Sequence, residues 1–279
     1  METDKLTTKQ FELFRDFIYR HSGMYVDASK ITLVSNRIRS RLKAGGFKDF
    51  SSYYNYLISV KGADEVEQFL EAISTNESFF FRTNSHFEWF KHVFLGEMIA
   101  RSMRGQHPKT LRIWSAACSA GEEAYSLAIC LAENSLRLRD WKLYILGTDI
   151  SRGVLETAQR GVYKKRSIEG VVDARVRRNF DASKDGQTWT IKAKIQETVE
   201  FRQHNLMNPL SVPVFDCIFV RNVLIYFDRA SRKVAIRHLI SQLAPGGYLV
   251  VGPSEGVFDM LTPLRKLSTF LYQKPEILV

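Results

Sequence analysis

The sequence is poor in the residues on which disulfide frameworks, zinc sites and membrane spans depend. Its three cysteines, Cys118, Cys130 and Cys217, are too few and too scattered for a disulfide framework or a zinc site, and its six histidines show no ligand spacing. No apolar run approaches the roughly eighteen residues of a membrane-spanning helix. The N-terminus has no basic segment followed by an apolar one. We therefore expect buried cysteines, no bound metal, no membrane insertion and a cytoplasmic location.

Glycine patterns that hold phosphates are also missing from the most informative stretch, Leu111–Ile129. It reads LRIWSAACSAGEEAYSLAI, which predicts an apolar strand, a loop of small residues turning at Gly121, and a helix that begins with Glu122 and Glu123. This loop is not G-x-G-x-x-G and lacks the Gly-Lys-Ser/Thr end of a P-loop. A nucleotide held by its phosphates is therefore disfavoured.

A carboxylate follows at the tip of the next predicted strand. The run LYILGTDIS, about twenty residues further on, places Asp149 at the end of an apolar strand. Such a carboxylate accepts hydrogen bonds from both hydroxyls of a ribose, each contributing roughly 1.5–3 kcal/mol. Adenosine without phosphates matches this pattern, so we expect S-adenosylmethionine as the cofactor.

Charge is spread unevenly over the 279 residues. The net charge is +10, but residues 1–75 hold eleven Lys/Arg and ten Asp/Glu, whereas the remainder holds 29 and 20. A basic surface steers acidic partners, and both nucleic acid and an acidic protein qualify. Charge alone does not choose between them.

The hydrophobic periodicity divides the chain into two regions. Residues 1–75 are predicted to form a helical domain, and 76–279 a second domain. In the second region strands and helices alternate from Leu111 onward, which predicts a doubly wound parallel sheet with helices on both faces. His86–Met103 is predicted as a joining helix. The four helices predicted in the first region are Leu6–Tyr19, Ile31–Lys43, Phe50–Val60 and Asp64–Ile73.

One segment, at about 180–200, interrupts this alternation. Within Thr188–Ile195, Trp189, Ile191, Ala193 and Ile195 alternate with polar residues, which predicts a half-exposed antiparallel strand. Such an insert either docks a partner or is an ordinary elaboration of the sheet edge.

Six motifs follow one another along nearly the whole chain. They are NRIRSRL (Asn36–Leu42), TNESFFFR (Thr75–Arg82), WSAACSAGEEAYSLAI (Trp114–Ile129), GTDIS (Gly147–Ser151), FVRNVLIYFD (Phe219–Asp228) and LAPGGYLVVGPSE (Leu243–Glu255). In these motifs the chain resembles the CheR-type chemotaxis receptor glutamate methyltransferases. The resemblance implies an all-α N-terminal domain, a Rossmann-like methyltransferase domain and a small antiparallel β-subdomain. The implied reaction esterifies receptor glutamates and yields S-adenosylhomocysteine.

The resemblance also implies residue roles. Arg82 and Tyr226 are expected to act in catalysis. The planar Arg82 guanidinium suits a carboxylate, either of the acceptor or of the methionine end of the cofactor, and the Tyr226 hydroxyl is suited to orient the acceptor or contact the methyl donor. The expected cofactor-binding residues are Asn76, Ser78, Arg82, Glu123, Asp149, Asn205, Leu206, Arg221 and Asn222.

The second predicted helix is basic. Arg37 and Arg41 share one stripe, and Arg39 and Lys43 another. In the resembling family this helix meets the acidic methylation region of the receptor, so we expect recognition here, although a solvated charged face is the alternative.

The antiparallel subdomain departs from the family. Members that tether to a C-terminal receptor peptide carry a glycine-rich loop, whereas DASKDGQTWT (Asp181–Thr190) has a single glycine. We therefore expect a monomer that recognises the methylation region without tight tethering.

Two other functions remain open at this point: a nucleic-acid methyltransferase, for which no interleaved aromatic and basic surface is seen, and a non-catalytic module that binds the cofactor or a receptor.

Overall fold

A computed structural model describes residues 5–276. The first four helices match the predicted ones to within a few residues: α1 (Thr8–Ser22), α2 (Ile31–Gly45), α3 (Phe50–Leu57) and α4 (Ala63–Ile73). Local signals set their ends, because Thr7 forms a capping box at the start of α1 and Gly46 ends α2 in the left-handed conformation.

These helices enclose an aromatic core of their own. Phe14 packs on Phe69 and Tyr53, with ring centroids 5.8 and 6.2 Å away. The Tyr53 hydroxyl donates to Glu65, which also pairs with Arg41. The helical region therefore has a separate core, as its periodicity predicts.

The joining helix is continuous but irregular. It consists of α5 (Asn84–Trp89), a π-helical turn at Phe90–Phe94, and α6 (Leu95–Met103). The π-turn residues Phe90 and Phe94 are fully buried, so the wider turn places both rings in the core of the second region.

Strands and helices alternate after this joining helix. In the main sheet of this region, the short strands lie at the two edges and the long strands lie between them. In chain order the elements are β1 (Thr110–Ala116), α7 (Glu122–Glu133), β2 (Lys142–Asp149), α8 (Arg152–Arg160), β3 (Val162–Lys164), α9 (Lys165–Ile168), α10 (Asp173–Asn179), β4 (Phe180–Ala182), β5 (Thr188–Ile191), α11 (Ala193–Gln196), β6 (Val199–Gln203), β7 (Phe215–Val220), α12 (Arg229–Ser241), β8 (Leu243–Val251), β9 (Arg265–Lys266) and β10 (Leu271–Gln273).

Seven strands form the main sheet in the order β6-β2-β1-β7-β8-β10-β9. The first five are parallel. At one edge, β10 pairs antiparallel with β8, and β9 pairs antiparallel with β10. Alternate side chains enter two separate cores: Ile113 and Cys217 face one, and Trp114 and Ile218 the other. The predicted doubly wound sheet is confirmed.

The small antiparallel sheet has the order β3-β5-β4. The predicted strand Thr188–Ile195 is wrong beyond Ile191, because Ala193–Gln196 form a helical turn in which the N–H of Ile195 donates to the carbonyl of Lys192. That turn buries Ile195 in the same core as α7. Residues 199–203 then leave the insert and pair with β2.

Gly121 occupies the sharp turn before α7. Its φ is 89°, and an added Cβ would lie 2.8 Å from the Ala158 Cβ and 2.9 Å from the Phe201 Cζ. We predict that Gly121→Ala lowers the free energy of unfolding by roughly 2–4 kcal/mol, since left-handed strain and overpacking add. Urea denaturation measures the change.

Gly186→Ala is the matched control, because Gly186 has φ 65° and no atom within 4 Å of an added Cβ. It should cost only the strain, roughly 1–2 kcal/mol. Equal losses in the two variants would contradict the packing argument.

Candidate active site

A cleft with a cavity volume of about 270 Å³ opens at the carboxyl ends of β1, β2 and β7. The chain passes from β1 to β2 on one side and returns to β7 on the other, so the cleft lies at a topological switch point, where open α/β sheets bind ligands. The residues predicted for cofactor binding and catalysis all line it: Asn76, Ser78, Arg82, Glu123, Asp149, Asn205, Leu206, Arg221, Asn222 and Tyr226.

Asp149 lies at the end of β2 and is 7% exposed. One of its oxygens accepts from the Ser119 N–H at 2.9 Å and the other from the Ser151 N–H at 3.0 Å. Burial raises the pKa of this carboxyl, and the two amides oppose the shift. Each oxygen keeps a second lone pair, so the carboxylate is held in place and can still accept from a ribose.

Glu123 and Arg221 form a buried ion pair at the base of the cleft, 3.1 Å apart. The Ser115 hydroxyl donates to the other Glu123 oxygen at 2.7 Å. Burial raises the pKa of the Glu123 carboxyl, which Arg221 and Ser115 oppose. Arg221 also donates to the backbone carbonyl of Arg82, so it joins the sheet to the segment that carries that arginine.

The segment from Ser74 to Arg82 covers one side of the cleft. Ser119 donates its hydroxyl to the carbonyl of Asn76, and the Phe81 N–H donates to the Ser126 hydroxyl. The three phenylalanines divide: Phe80 and Phe81 are buried, whereas Phe79 is 43% exposed with its ring centroid 5.7 Å from the Arg82 guanidinium. Only one ring therefore accompanies Arg82 into the cleft.

Backbone strain is concentrated around this cleft. Among residues 5–276, five residues other than glycine have positive φ, between 51° and 60°. Three of them line the cleft and two flank Arg82. Such conformations cost of order 1–3 kcal/mol each and cluster at functional sites. They are Phe81, Thr83, Ala117, Ser119 and Asn222.

Tyr226 and Ile225 lie at the mouth, 36% and 37% exposed. The helical region contributes the adjoining wall, with Ser22 and Met24 in the cleft lining. The Tyr25 N–H donates to the carbonyl of Tyr226 at 2.8 Å. The acceptor side of the cleft is thus built from both regions of the chain.

Sequence reasoning missed several cleft residues. The small residues Ala117 and Ser119 belong to the loop that signalled the site, but Ser22 and Met24 carry no sequence signal, because only the tertiary fold brings them there. His204 also lines the cleft, and burial lowers the pKa of its imidazole.

The basic residues of α2 are largely engaged within the chain. Arg41 pairs with Glu65 at 2.8 Å, and Arg37 donates to the carbonyls of Ile73 and Ser74. The Arg39 guanidinium lies 5.9 Å from the Phe50 ring centroid, and Lys43 is exposed. A receptor-binding role for these four residues stays a prediction.

The three cysteines are buried, as predicted. Cys118 lines the cleft, where burial and nearby Asp149 raise the pKa of its thiol. In the described part of the chain, no group of three or more His, Cys, Asp and Glu side chains could hold a metal ion. No helix there is both long and apolar enough to cross a membrane.

Family models match both regions. The all-alpha domain of CheR methyltransferase matches residues 9–74, and the SAM binding domain of CheR methyltransferase matches 76–271. The chain belongs to the CheR methyltransferase family. It is an S-adenosylmethionine-dependent methyltransferase, and the donor set of the cleft fits that cofactor, with a fixed carboxylate in Asp149 and an apolar face in Leu206.

Full-length relatives share the family. Chemotaxis protein methyltransferase 2 of Vibrio cholerae is 32% identical over 255 residues, covering 90% of this chain and 87% of the relative. Chemotaxis protein methyltransferase 1 of Pseudomonas aeruginosa is 36% identical over 255 residues, covering 90% and 91%. The Escherichia coli chemotaxis protein methyltransferase is 32% identical over 254 residues, covering 90% and 85%.

The position of Asp149 predicts its effect on binding. Asp149→Asn should weaken the binding of S-adenosylhomocysteine at least ~30-fold, because it replaces a charged acceptor by an amide, a loss of about 2 kcal/mol. Isothermal titration measures the affinity. The control is Asp140→Asn, which should bind like wild type, because the Asp140 side chain is 72% exposed and lies two residues before β2. Similar affinity in both variants would contradict the assignment.

Proposed function

We propose that this enzyme transfers the methyl group of S-adenosylmethionine to glutamate carboxylates in the cytoplasmic methylation region of a chemoreceptor. The product is a glutamyl methyl ester, which adjusts the receptor during chemotaxis. The proposed enzyme acts as a cytoplasmic monomer and binds no nucleic acid. Support for the substrate comes from the chemotaxis methyltransferases that share the family and from the chemistry at the mouth of the cleft.

The set of ionisable groups that line the cleft together with Tyr226 carries the proposal. The carboxylates of the cleft lining are engaged within the chain: Glu123 pairs with Arg221, Asp149 accepts from two backbone amides, and Glu77 lies 3.6 Å from Arg166. The lining also contains one histidine and one cysteine, His204 and Cys118. Burial lowers the pKa of the first and raises that of the second. A lysine acceptor, with a pKa near 10.4, would need a base to lose its proton, whereas a glutamate, with a pKa near 4.3, is already a nucleophile. A carboxylate acceptor suits this cleft best.

The enzyme then has to supply geometry and exclude water. The acceptor oxygen has to stand in line with the methyl group, roughly 3–3.5 Å away. Arg82 and Tyr226 are the proposed catalytic residues, because a guanidinium and a hydroxyl at the mouth can hold a carboxylate. Glu123 is suited to accept from the ammonium end of the cofactor.

The remaining cofactor contacts follow from position. Asp149 would hold the ribose, while Asn205 and Leu206 would flank the adenine. Asn205 is fixed for this task, since its amide donates to the carbonyl of His21 at 2.8 Å and its oxygen accepts from the Met207 N–H at 3.0 Å. Asn76, Ser78, Arg221 and Asn222 complete the proposed site.

Receptor recognition is proposed for the helical domain, residues 1–75, with residues 76–279 as the methyltransferase domain. Acidic receptor helices would meet α2, where Lys43 is exposed. Arg37, Arg39 and Arg41 would add their positive field while they hold the domain together.

Lys43→Glu should therefore raise KM for the receptor and leave S-adenosylhomocysteine affinity unchanged.

The reaction predicts a specific product. With methyl-labelled S-adenosylmethionine and a receptor cytoplasmic fragment, mild base should release the label as volatile methanol, because esters hydrolyse and methylated nitrogen or carbon does not. Asp149→Asn is the control and should leave the fragment almost unlabelled. Base-stable label would overturn the proposal.

Tethering to a receptor C-terminal peptide is not proposed. The hairpin between β4 and β5 closes on itself, since the Ser183 hydroxyl donates to Asp185 at 2.5 Å and accepts from the Thr188 N–H at 3.0 Å. The outer strand β4 is three residues long, so it offers little main chain to a peptide.

Titration of a receptor C-terminal peptide should accordingly give a Kd no tighter than about 1 mM, a binding free energy near 4 kcal/mol. The receptor methylation region serves as the positive control. A micromolar Kd for the peptide would show that this reading of the hairpin is mistaken.

A further inference from the structure

Glu255 is a fully buried carboxylate just beyond β8, and the mechanism above does not use it. One of its oxygens accepts from the N–H of Asn222, and the other accepts from the N–H of Leu224 at 2.8 Å. The carboxylate therefore lies at the start of the short 3-10 helix Leu224–Tyr226, where it accepts from two amides of one loop.

The surroundings of Glu255 are shaped to hold it there. A Cβ added at Gly252 would lie 2.5 Å from a Glu255 oxygen, so only glycine leaves room for this approach. The Arg232 guanidinium binds carbonyl groups in the same place. It donates to the carbonyl of Leu224 at 2.9 Å and to that of Gly256 at 3.3 Å. The N–H groups of Asn222 and Leu224 therefore have a buried partner in Glu255, and the carbonyl of Leu224 has a half-buried one.

The loop depends on such external support. Asn222 has φ 58°, a conformation that costs energy in a residue other than glycine. Ile225 and Tyr226 are more than a third exposed, so packing of their own side chains does little to place them. Their position in the cleft is set by the backbone. The amides of Asn222 and Leu224, just before them, end on Glu255, and the turn continues with the Tyr226 N–H donating to the Val223 carbonyl at 3.1 Å.

We propose that Glu255 is a positioning residue for methyl transfer, which fixes the 222–226 backbone and thereby sets Asn222 and Tyr226 relative to each other. It touches neither substrate. The inference rests on the roles proposed above for Asn222 and Tyr226. Through this one carboxylate, the cofactor side and the acceptor side of the cleft are held in a common geometry.

The test is Glu255→Gln, which keeps the shape of the side chain but turns an NH₂ group toward a backbone N–H, so that one buried donor loses its acceptor. The matched control is Asp216→Asn. Asp216 is also a buried carboxylate that accepts a backbone N–H, that of Arg112 at 2.8 Å, but it lies at the opposite end of β7 from the cleft.

Both variants should fold, with lowered urea midpoints. Glu255→Gln should lower kcat roughly 10- to 100-fold, because misplacement by about 1 Å can cost 100-fold. It should also weaken S-adenosylhomocysteine binding several-fold. Asp216→Asn should keep kcat and this affinity within about twofold. Wild-type kcat and affinity in a folded Glu255→Gln would overturn the proposal, as would equal losses in the two variants.

Two further measurements keep the outcome decisive. If Glu255→Gln does not fold, Gly252→Ala takes its place, since it keeps the carboxylate but displaces it, and the same loss of kcat is expected; unchanged kinetics would overturn the proposal. The S-adenosylhomocysteine titration needs no acceptor. A failure of the proposed receptor substrate therefore leaves that arm of the test intact.

Discussion

The buried ion pair between Arg221 and Glu123 is the interaction on which the rest of the site depends. Arg221 directly follows β7, Glu123 lies in the first turn of α7, and the carbonyl of Arg82 accepts from the same guanidinium. Removing either charge would leave the other without its ion-pair partner in a largely water-excluded site, and breaking a buried pair in this way typically costs 3–5 kcal/mol. The pair thus fixes the switch point of the sheet and the segment that delivers Arg82 in one step. This explains why Arg221 is 6% exposed although it lines a ligand cleft.

The strained backbone around the cleft has the same logic. Phe81 and Thr83 flank the carbonyl that Arg221 holds, and Ser119 gives its N–H to Asp149. Phe81, Ser119 and Asn222 persist in this conformation because a side chain from outside the loop accepts the N–H of each: Ser126, Asp149 and Glu255 in turn. A site held in this way needs little reorganisation when substrates arrive, and such pre-organisation lowers the barrier to a reaction that depends on in-line geometry.

Much of this could be predicted from the sequence, and the exceptions share a cause. Periodicity predicts the helices and parallel strands, and the small-residue loop with Asp149 predicts the cleft. Glu255 is invisible to such reasoning, because its partners are backbone N–H groups that any residue supplies. Ser22 and Met24 reach the cleft only through the packing of two regions. Ile195 continues an alternating pattern, yet its burial against the core is achieved by a helical turn instead of a strand.

The contact between the helical region and the second region links the proposed recognition surface to the cleft. The end of α1 lies against the loop that carries Tyr226: Met24 bridges to Phe227, and Tyr19 donates to Asp228 at 3.2 Å. The same helical region carries α2, whose Arg37 holds the carbonyls at the start of the cleft segment. A receptor helix bound to α2 would therefore contact a helical region that is hydrogen-bonded both to the segment that carries Arg82 and to the loop that carries Tyr226. Because coupling requires only that bound and free states differ in these contacts, the helical region is a structural part of the cleft as well as the proposed docking surface.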